Sequence, residues 1–206
     1  MKFKLPKIYP ITDRRISGLS HLEQVRRLIA GGATLVQLRD KTSSALEFYA
    51  DAKQAVEFAQ THGVKVIVND RADIALAVGA DGVHLGQDDL PVPDARALLG
   101  PDSIIGVSTH SLEQAESAVQ LPIDYLAIGP IFETPTKSDP DPVIGLDGLK
   151  GVRAVANLSP LVAIGGISLD RVEKVIECGA DSVALISNIL AEPDQITARI
   201  KRLLSL

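Results

Sequence analysis

Asp70 in VNDR and Asp89 in GQDDLP, with Arg39 and Lys41 in QLRDK and Lys137 in TPTK, are the residue types that hold a metal-bound, highly charged phosphate. Carboxylates suit a hard, oxygen-seeking ion such as Mg2+, which takes one or two of them and leaves its other positions to water and phosphate oxygens. Arg39 and Lys41 flank Asp40, so a period-two alternation points both the same way, and arginine offers phosphate oxygens a planar fork. Together these acids and cations describe a cage for metal-bound pyrophosphate better than they describe a surface ion-pair array. Taken singly, the acids have plainer uses: Asp70 as the cap of a helix beginning RADIALA, Asp88 and Asp89 as solvated turn residues.

A second anion site is written as Gly165-Gly166-Ile167 followed by a helix start at Ser168. Glycine lets an oxyanion approach backbone amides, and a helix N-terminus adds partial positive charge. Ile186-Ser187-Asn188 would complete it, so one substrate is expected to carry a monophosphate. His84, inside the apolar string GVHLG, reads as a hydrogen-bonded structural residue. His110, after Ser108-Thr109, either lines the pocket or caps the next helix. No zinc-spaced Cys/His cluster, Walker loop or GxGxxG is present, and Ser108 has no nucleophile-elbow context.

These residues are scattered along the chain, and the elements that must gather them repeat. Apolar runs end at Asp13 (KIYPIT), Gln37 and Arg39 (ATLV), Asn69-Asp70 (VKVIV), Gly86-Gln87 (DGVHL), Ser108 (IIGV), Gly129 (YLAI), Gly165-Gly166 (LVAI) and Ser187 (VALI). Each is followed by helical spacing of apolar residues, so strand, loop and helix recur about eight times. The expected fold is α/β, a single (β/α)8 barrel domain over residues 1–206, lean beside the ~250 residues usual for such barrels. Its parallel strands would send every C-terminal end to one face, where active sites are assembled. The expected helices span 20–30, 45–61, 95–99, 112–119, 147–156, 169–178 and 194–204, with N-caps at Ser20, Ser111 and Ser168. The strings GGATLVQLR, GADGVHLGQ and GADSVALIS echo one another as helix-to-strand turns, in which glycine can end a helix in a left-handed conformation. The stretch 134–142 (TPTKSDPDP) reads as a long loop after the sixth strand.

Apolar residues at 46% suffice for a core of inner strands and outer helices. A net charge of -5 and 3% aromatics leave no electrostatic or stacking footprint for nucleic acid. The single cysteine, Cys178, cannot form an internal disulfide and reads as a packing residue at a helix C-terminus. MKFKLPKIYP lacks the apolar core of a signal peptide, and the longest uncharged stretches fall short of the ~18 apolar residues of a membrane span. The expectation is a cytoplasmic protein with small-molecule partners and none in membrane or nucleic acid; association into a homo-oligomer is left open.

The strings YPITD (9–13), QLRDK (37–41), VNDRADIA (68–75), GVHLGQDDLP (82–91), GVSTHS (106–111), AIGPIFETPTK (127–137), AIGGI (163–167) and ALISNI (185–189) resemble the thiamine phosphate synthase family in order and spacing. The resemblance covers nearly the whole chain. It implies a (β/α)8 transferase that joins 4-amino-2-methyl-5-hydroxymethylpyrimidine diphosphate to a thiazole phosphate, releasing pyrophosphate. By that resemblance, Gln37, Leu38, Arg39, Asp40, Lys41, Asn69, Ser108 and Lys137 hold the pyrimidine diphosphate, with Arg39, Lys41, Ser108 and Lys137 catalytic. It likewise assigns Asp70 and Asp89 to Mg2+, and Thr134, Pro135, Thr136, Gly166, Ile186 and Ser187 to the thiazole phosphate. Family analogy favours a dissociative path, in which the ring amino group stabilises a pyrimidinyl methyl cation that the thiazole nitrogen attacks. The rivals are a thiazole tautomerase-like enzyme, which needs no diphosphate cage, and a non-catalytic sensor of thiamine precursors. A phosphosugar isomerase stands on barrel grounds alone.

Overall fold

The structure is a computed structural model that describes residues 4–134 and 141–206. Eight parallel strands close into a barrel in chain order: β1 (Ile8–Thr12), β2 (Leu35–Leu38), β3 (Lys65–Asn69), β4 (Gly82–Leu85), β5 (Ile104–Thr109), β6 (Tyr125–Ile128), β7 (Leu161–Ile164) and β8 (Ser182–Leu185). Around them run α1 (Arg14–Ser17), α2 (His21–Ala30), α3 (Ala45–Thr61), α4 (Ala72–Val78), α5 (Val92–Leu99), α6 (Leu112–Ala118), α7 (Gly145–Ala156), α8 (Val172–Glu177), α9 (Ser187–Leu190) and α10 (Ile196–Leu204). The (β/α)8 expectation is met.

Period-two alternation divides the core in two. Tyr9, Ile11, Leu35, Ile67, Ile104, Tyr125, Ala127, Val162 and Ala184 fill the barrel interior. Their chain neighbours, such as Val36, Leu38, Val68, Val83, Leu126 and Val183, face the helices in the larger outer cluster. Cys178 is buried in that outer layer at the end of α8, as expected.

Two of the echoed strings, together with the segment before β6, prove to carry a stapling device. Asp81, Asp124 and Asp181, each just before an even-numbered strand, accept the backbone N–H of Val66, Ile105 and Leu161 on the strand before, each at 2.8 Å. Lys65, Arg96 and Arg153 cover the same carboxylates from outside. Gly79 ends α4 in the left-handed region at φ 67°, as the sequence suggested.

Ser20 and Ser111 cap α2 and α6 by accepting from Glu23 and Gln114 amides. Ser168 does not cap: it leads into a 3-10 turn (Leu169–Arg171) and only then into α8. The sequence reading also passes over the capping box of Ser44 and Glu47 that starts α3, and the short helices α1 and α9.

Gly106 is one of the glycines required by space alone. Gly106 lies between His84 on β4 and Tyr125 on β6 in the strand register, and a Cβ there would sit 2.0 Å from Tyr125 Cζ. Gly106→Ala is therefore expected to lower unfolding stability by about 1–3 kcal/mol, the usual cost of overpacking a core. Urea denaturation checks it; an unchanged midpoint would mean that the Tyr125 ring is free to step aside.

Candidate active site

The C-terminal ends of the strands open into one cavity, with about 1030 Å3 of empty space that includes open solvent at its mouth. Gln37, Arg39, Asn69, Ser108, Thr134, Gly166, Ile186 and Ser187, all singled out from sequence, line it. So does His110, which settles its open role: its Nδ1 meets the Gly129 carbonyl at 2.6 Å, while the helix cap belongs to Ser111. Pro135, Thr136 and Lys137 lie outside the described residues.

Within QLRDK the alternation splits the residues. Gln37 and Arg39 face the cavity, whereas Leu38 packs fully buried in the outer core. Asp40 also turns outward, accepting from the Ser43 hydroxyl at 2.7 Å and from the Thr42 and Ser43 amides at 2.9 Å. It meets Nε2 of buried His21 at 3.3 Å, and Thr12 holds the other ring nitrogen at 2.7 Å. The His21 hydrogen bond, with those from Ser43 and Thr42, holds the Asp40 carboxyl far below its ordinary range. Asp40 thus fastens the loop that carries Arg39 and Lys41, and neither Leu38 nor Asp40 lines the cavity.

Arg39 meets Asp13 Oδ2 at 2.5 Å, with both side chains mostly buried. The other oxygen of Asp13 caps α1 through the Arg15 and Ile16 amides. Lys41 pairs with Asp70. Asp70 lies beside Asp89, whose carboxylate accepts from the Gly86 amide at 2.6 Å. Burial raises the Asp89 pKa despite that amide, and the charge of Asp70 adds to the rise. Asp70 does not cap the following helix, because α4 begins without a side-chain cap. Asp88 is exposed, in keeping with its plainer reading.

The cavity floor is a polar chain that the sequence reading lacks. Gln37 Nε2 donates to Tyr9 Oη at 3.0 Å; Tyr9 Oη and Tyr125 Oη lie 3.0 Å apart; Tyr125 Oη meets His84 Nδ1 at 2.9 Å; His84 Nε2 meets Ser108 Oγ at 2.7 Å. Burial raises the pKa of both tyrosines, so both phenols stay protonated. Two signals could have disclosed this chain. Tyr9 and Tyr125 hold the inward phase of their strands, and a glycine inside the strand string IIGVS marks a close approach.

Burial also pushes the His84 pKa from 6.5 down to about 4, only partly opposed by the charge of Asp70. The unfolded chain therefore binds a proton that the folded chain refuses as pH falls from 6.5 towards 4, and stability declines over that window by up to about 3 kcal/mol. Urea unfolding at pH 7 and pH 4.5 should show this loss, reduced in His84→Gln; equal losses in the two proteins would place the acid sensitivity elsewhere.

At the opposite wall, Gly165 and Gly166 adopt φ 97° and 64°. A Cβ on Gly166 would lie 2.3 Å from the Glu133 carbonyl oxygen, and one on Gly165 would lie 2.6 Å from Pro130. The pair is thus demanded by the close approach of the loop after β6 as well as by any anion. Asn188 Nδ2 donates to the Ile167 carbonyl at 2.8 Å and ties this turn to the start of α9.

The profile of the family described as thiamine monophosphate synthase matches residues 8–189. The thiamine-phosphate synthase of Koribacter versatilis is 46% identical over 199 residues, covering 93% of this chain and 92% of that protein. That of Syntrophomonas wolfei is 46% identical over 188 residues, covering 91% and 90%. The solved thiamine phosphate pyrophosphorylase of Pyrococcus furiosus superposes with a TM-score of 0.84 at 37% identity, covering 97% of this chain and 95% of that one. The chain spans nearly the full length of each, and with the family profile matching from β1 into α9, it belongs to the thiamine monophosphate synthase family.

Proposed function

We propose that the cavity takes the two halves of thiamine phosphate side by side and lets pyrophosphate depart towards the Lys41, Asp70 and Asp89 corner. Thiamine phosphate synthesis, a transferase reaction, follows from the family; the division of labour among residues is our reading. The observation that carries it is the joining of two walls in one cavity: Gln37, Asn69 and Ser108 on β2, β3 and β5 with Arg39 just after β2, and Gly166, Ile186 and Ser187 after β7 and β8. The first wall supplies polar and cationic contacts for 4-amino-2-methyl-5-hydroxymethylpyrimidine diphosphate. The second supplies backbone amides at two strand ends for the phosphate of the thiazole, the position at which barrels commonly hold phosphate. Thr134, on the same lining, would border the thiazole.

Asp70 and Asp89 fit a divalent ion. Two neighbouring carboxylates, one with its pKa raised by burial and by its neighbour, gain from a cation between them, and an all-oxygen donor set suits Mg2+. Among the described residues no group of three or more His, Cys, Asp or Glu surrounds a single point, so its other ligands would be water and diphosphate oxygens. When bound, Mg2+ would neutralise charge gathering on pyrophosphate. Arg39, held at a fixed angle by Asp13, and Lys41 would share that charge. The apolar lining from Ile11, Val162 and Ile164 would exclude water from the electrophilic methyl carbon until the thiazole nitrogen reaches it.

Incubation with the pyrimidine diphosphate, the thiazole phosphate and Mg2+ tests the reading through detection of thiamine phosphate. Tautomerisation of the thiazole phosphate with no joining would favour a tautomerase. Tight binding of both compounds without turnover would favour a sensor. No helix of the described residues is long and apolar enough to cross a membrane, and assay of the soluble cell fraction tests the cytoplasmic expectation.

A further inference from the structure

The polar chain beneath the cavity has a direction, and the direction follows from counting protons. Tyr9 Oη has two hydrogen-bond neighbours, Gln37 Nε2 and Tyr125 Oη, and it is buried. The amide nitrogen can only donate, so the single phenolic proton of Tyr9 goes to Tyr125; any other arrangement buries an O–H without an acceptor. Gln37 also donates towards Tyr125, which lowers that phenol's pKa against the effect of burial. Tyr125 therefore accepts from its neighbours, and its own proton is left for His84 Nδ1 at 2.9 Å. An Nδ1 that accepts fixes the neutral imidazole as the Nε2–H tautomer. Nε2–H then donates to Ser108 Oγ at 2.7 Å. Among the described residues the Ser108 proton has no protein acceptor, which leaves it for the cavity that Ser108 lines.

We propose that Tyr9, Tyr125 and His84 are positioning residues that polarise the Gln37-to-Ser108 chain outward and make Ser108 an obligate hydrogen-bond donor to the pyrimidine diphosphate. This rests on the functional reading above and adds three residues and a proton direction to it. The opposite polarity, with Gln37 presenting its carbonyl to Tyr9, would run every bond backwards. His84 would carry its proton on Nδ1, and Ser108 would spend its proton on Nε2 and offer substrate only an acceptor oxygen. The two cases demand different ligand chemistry from one set of atoms.

Two measurements decide between them. Nitrogen-15 NMR of the imidazoles, with His84→Gln used to assign the resonance, should show His84 at pH 7 as the Nε2–H tautomer with Nδ1 an unprotonated acceptor. Tyr125→Phe should convert it into a mixture. An Nδ1–H tautomer in the unsubstituted protein overturns the proposal, and this readout needs no turnover, so it stands apart from any failure of the functional reading. The second measurement is a double-mutant cycle. Tyr125→Phe should lower kcat about tenfold, roughly the effect of losing one hydrogen bond, with KM for the thiazole phosphate unchanged. In a Ser108→Ala background the same substitution should cost nothing further, because its effect passes through Ser108. Additive losses would mean that Tyr125 acts on substrate or on packing directly, and would overturn the relay. If Tyr125→Phe fails to fold, Tyr9→Phe breaks the chain one bond earlier, and the same non-additivity is required of it.

Discussion

Excess chelator will bring thiamine phosphate formation to background, added Mg2+ will restore it, and Asp70→Asn or Asp89→Asn will each lower kcat by about 10²-fold or more. The expectation comes from the strain between the two carboxylates as much as from their type. Asp70 and Asp89 lie side by side, and burial with the charge of Asp70 raises the Asp89 pKa, so the pair is held together against its own repulsion. Asp70 is further fixed in the left-handed region at φ 62°, with its amide on the His84 carbonyl at 2.8 Å. A non-glycine residue held there costs energy that the surroundings must supply. Removing one charge should relieve this arrangement, so Asp89→Asn is expected to melt no lower than the parent protein while its turnover collapses. Full turnover in chelator would remove the ion from the mechanism; a collapse of both stability and turnover would make the pair structural.

The barrel was legible because its signals are redundant. Eight apolar runs at similar spacing, each ended by a polar or glycine residue, survive an error in any one of them. The alternation that places Arg39 inward also turns Asp40 outward, a consequence available from the string QLRDK but masked by the resemblance, which treats residues 37–41 as a block. What sequence could not supply is partnership across the chain. Asp13 and Arg39 stand 26 residues apart, Tyr9 and Tyr125 stand 116 apart, and only barrel closure brings them together. Ser168 illustrates the opposite error. Its place before an apolar stretch imitates a cap, yet the turn set by Gly165-Gly166 enters α8 through a 3-10 segment that uses no side-chain cap.

Arg39→Ala should lower turnover by about 10²-fold or more while leaving the affinity for the thiazole phosphate nearly unchanged. The guanidinium lines the cavity, is only 14% exposed and is aimed by a carboxylate that is 6% exposed, so it acts where water screens charge poorly. The substitution also strands Asp13, and breaking a buried pair from one side can cost up to about 3–5 kcal/mol. Loss of activity alone would not separate the two effects. Asp13→Asn does, because an asparagine oxygen can still accept from the Arg15 and Ile16 amides without leaving a charge unpaired. The double variant Asp13→Asn with Arg39→Ala is therefore expected to recover most of the melting temperature lost by Arg39→Ala and none of the turnover. Asp13→Asn alone, with the guanidinium present but no longer held, should fall between the parent protein and Arg39→Ala in kcat. If the double variant regains turnover along with stability, Arg39 serves the fold, and the charge on departing pyrophosphate must be met by Lys41 and the metal corner.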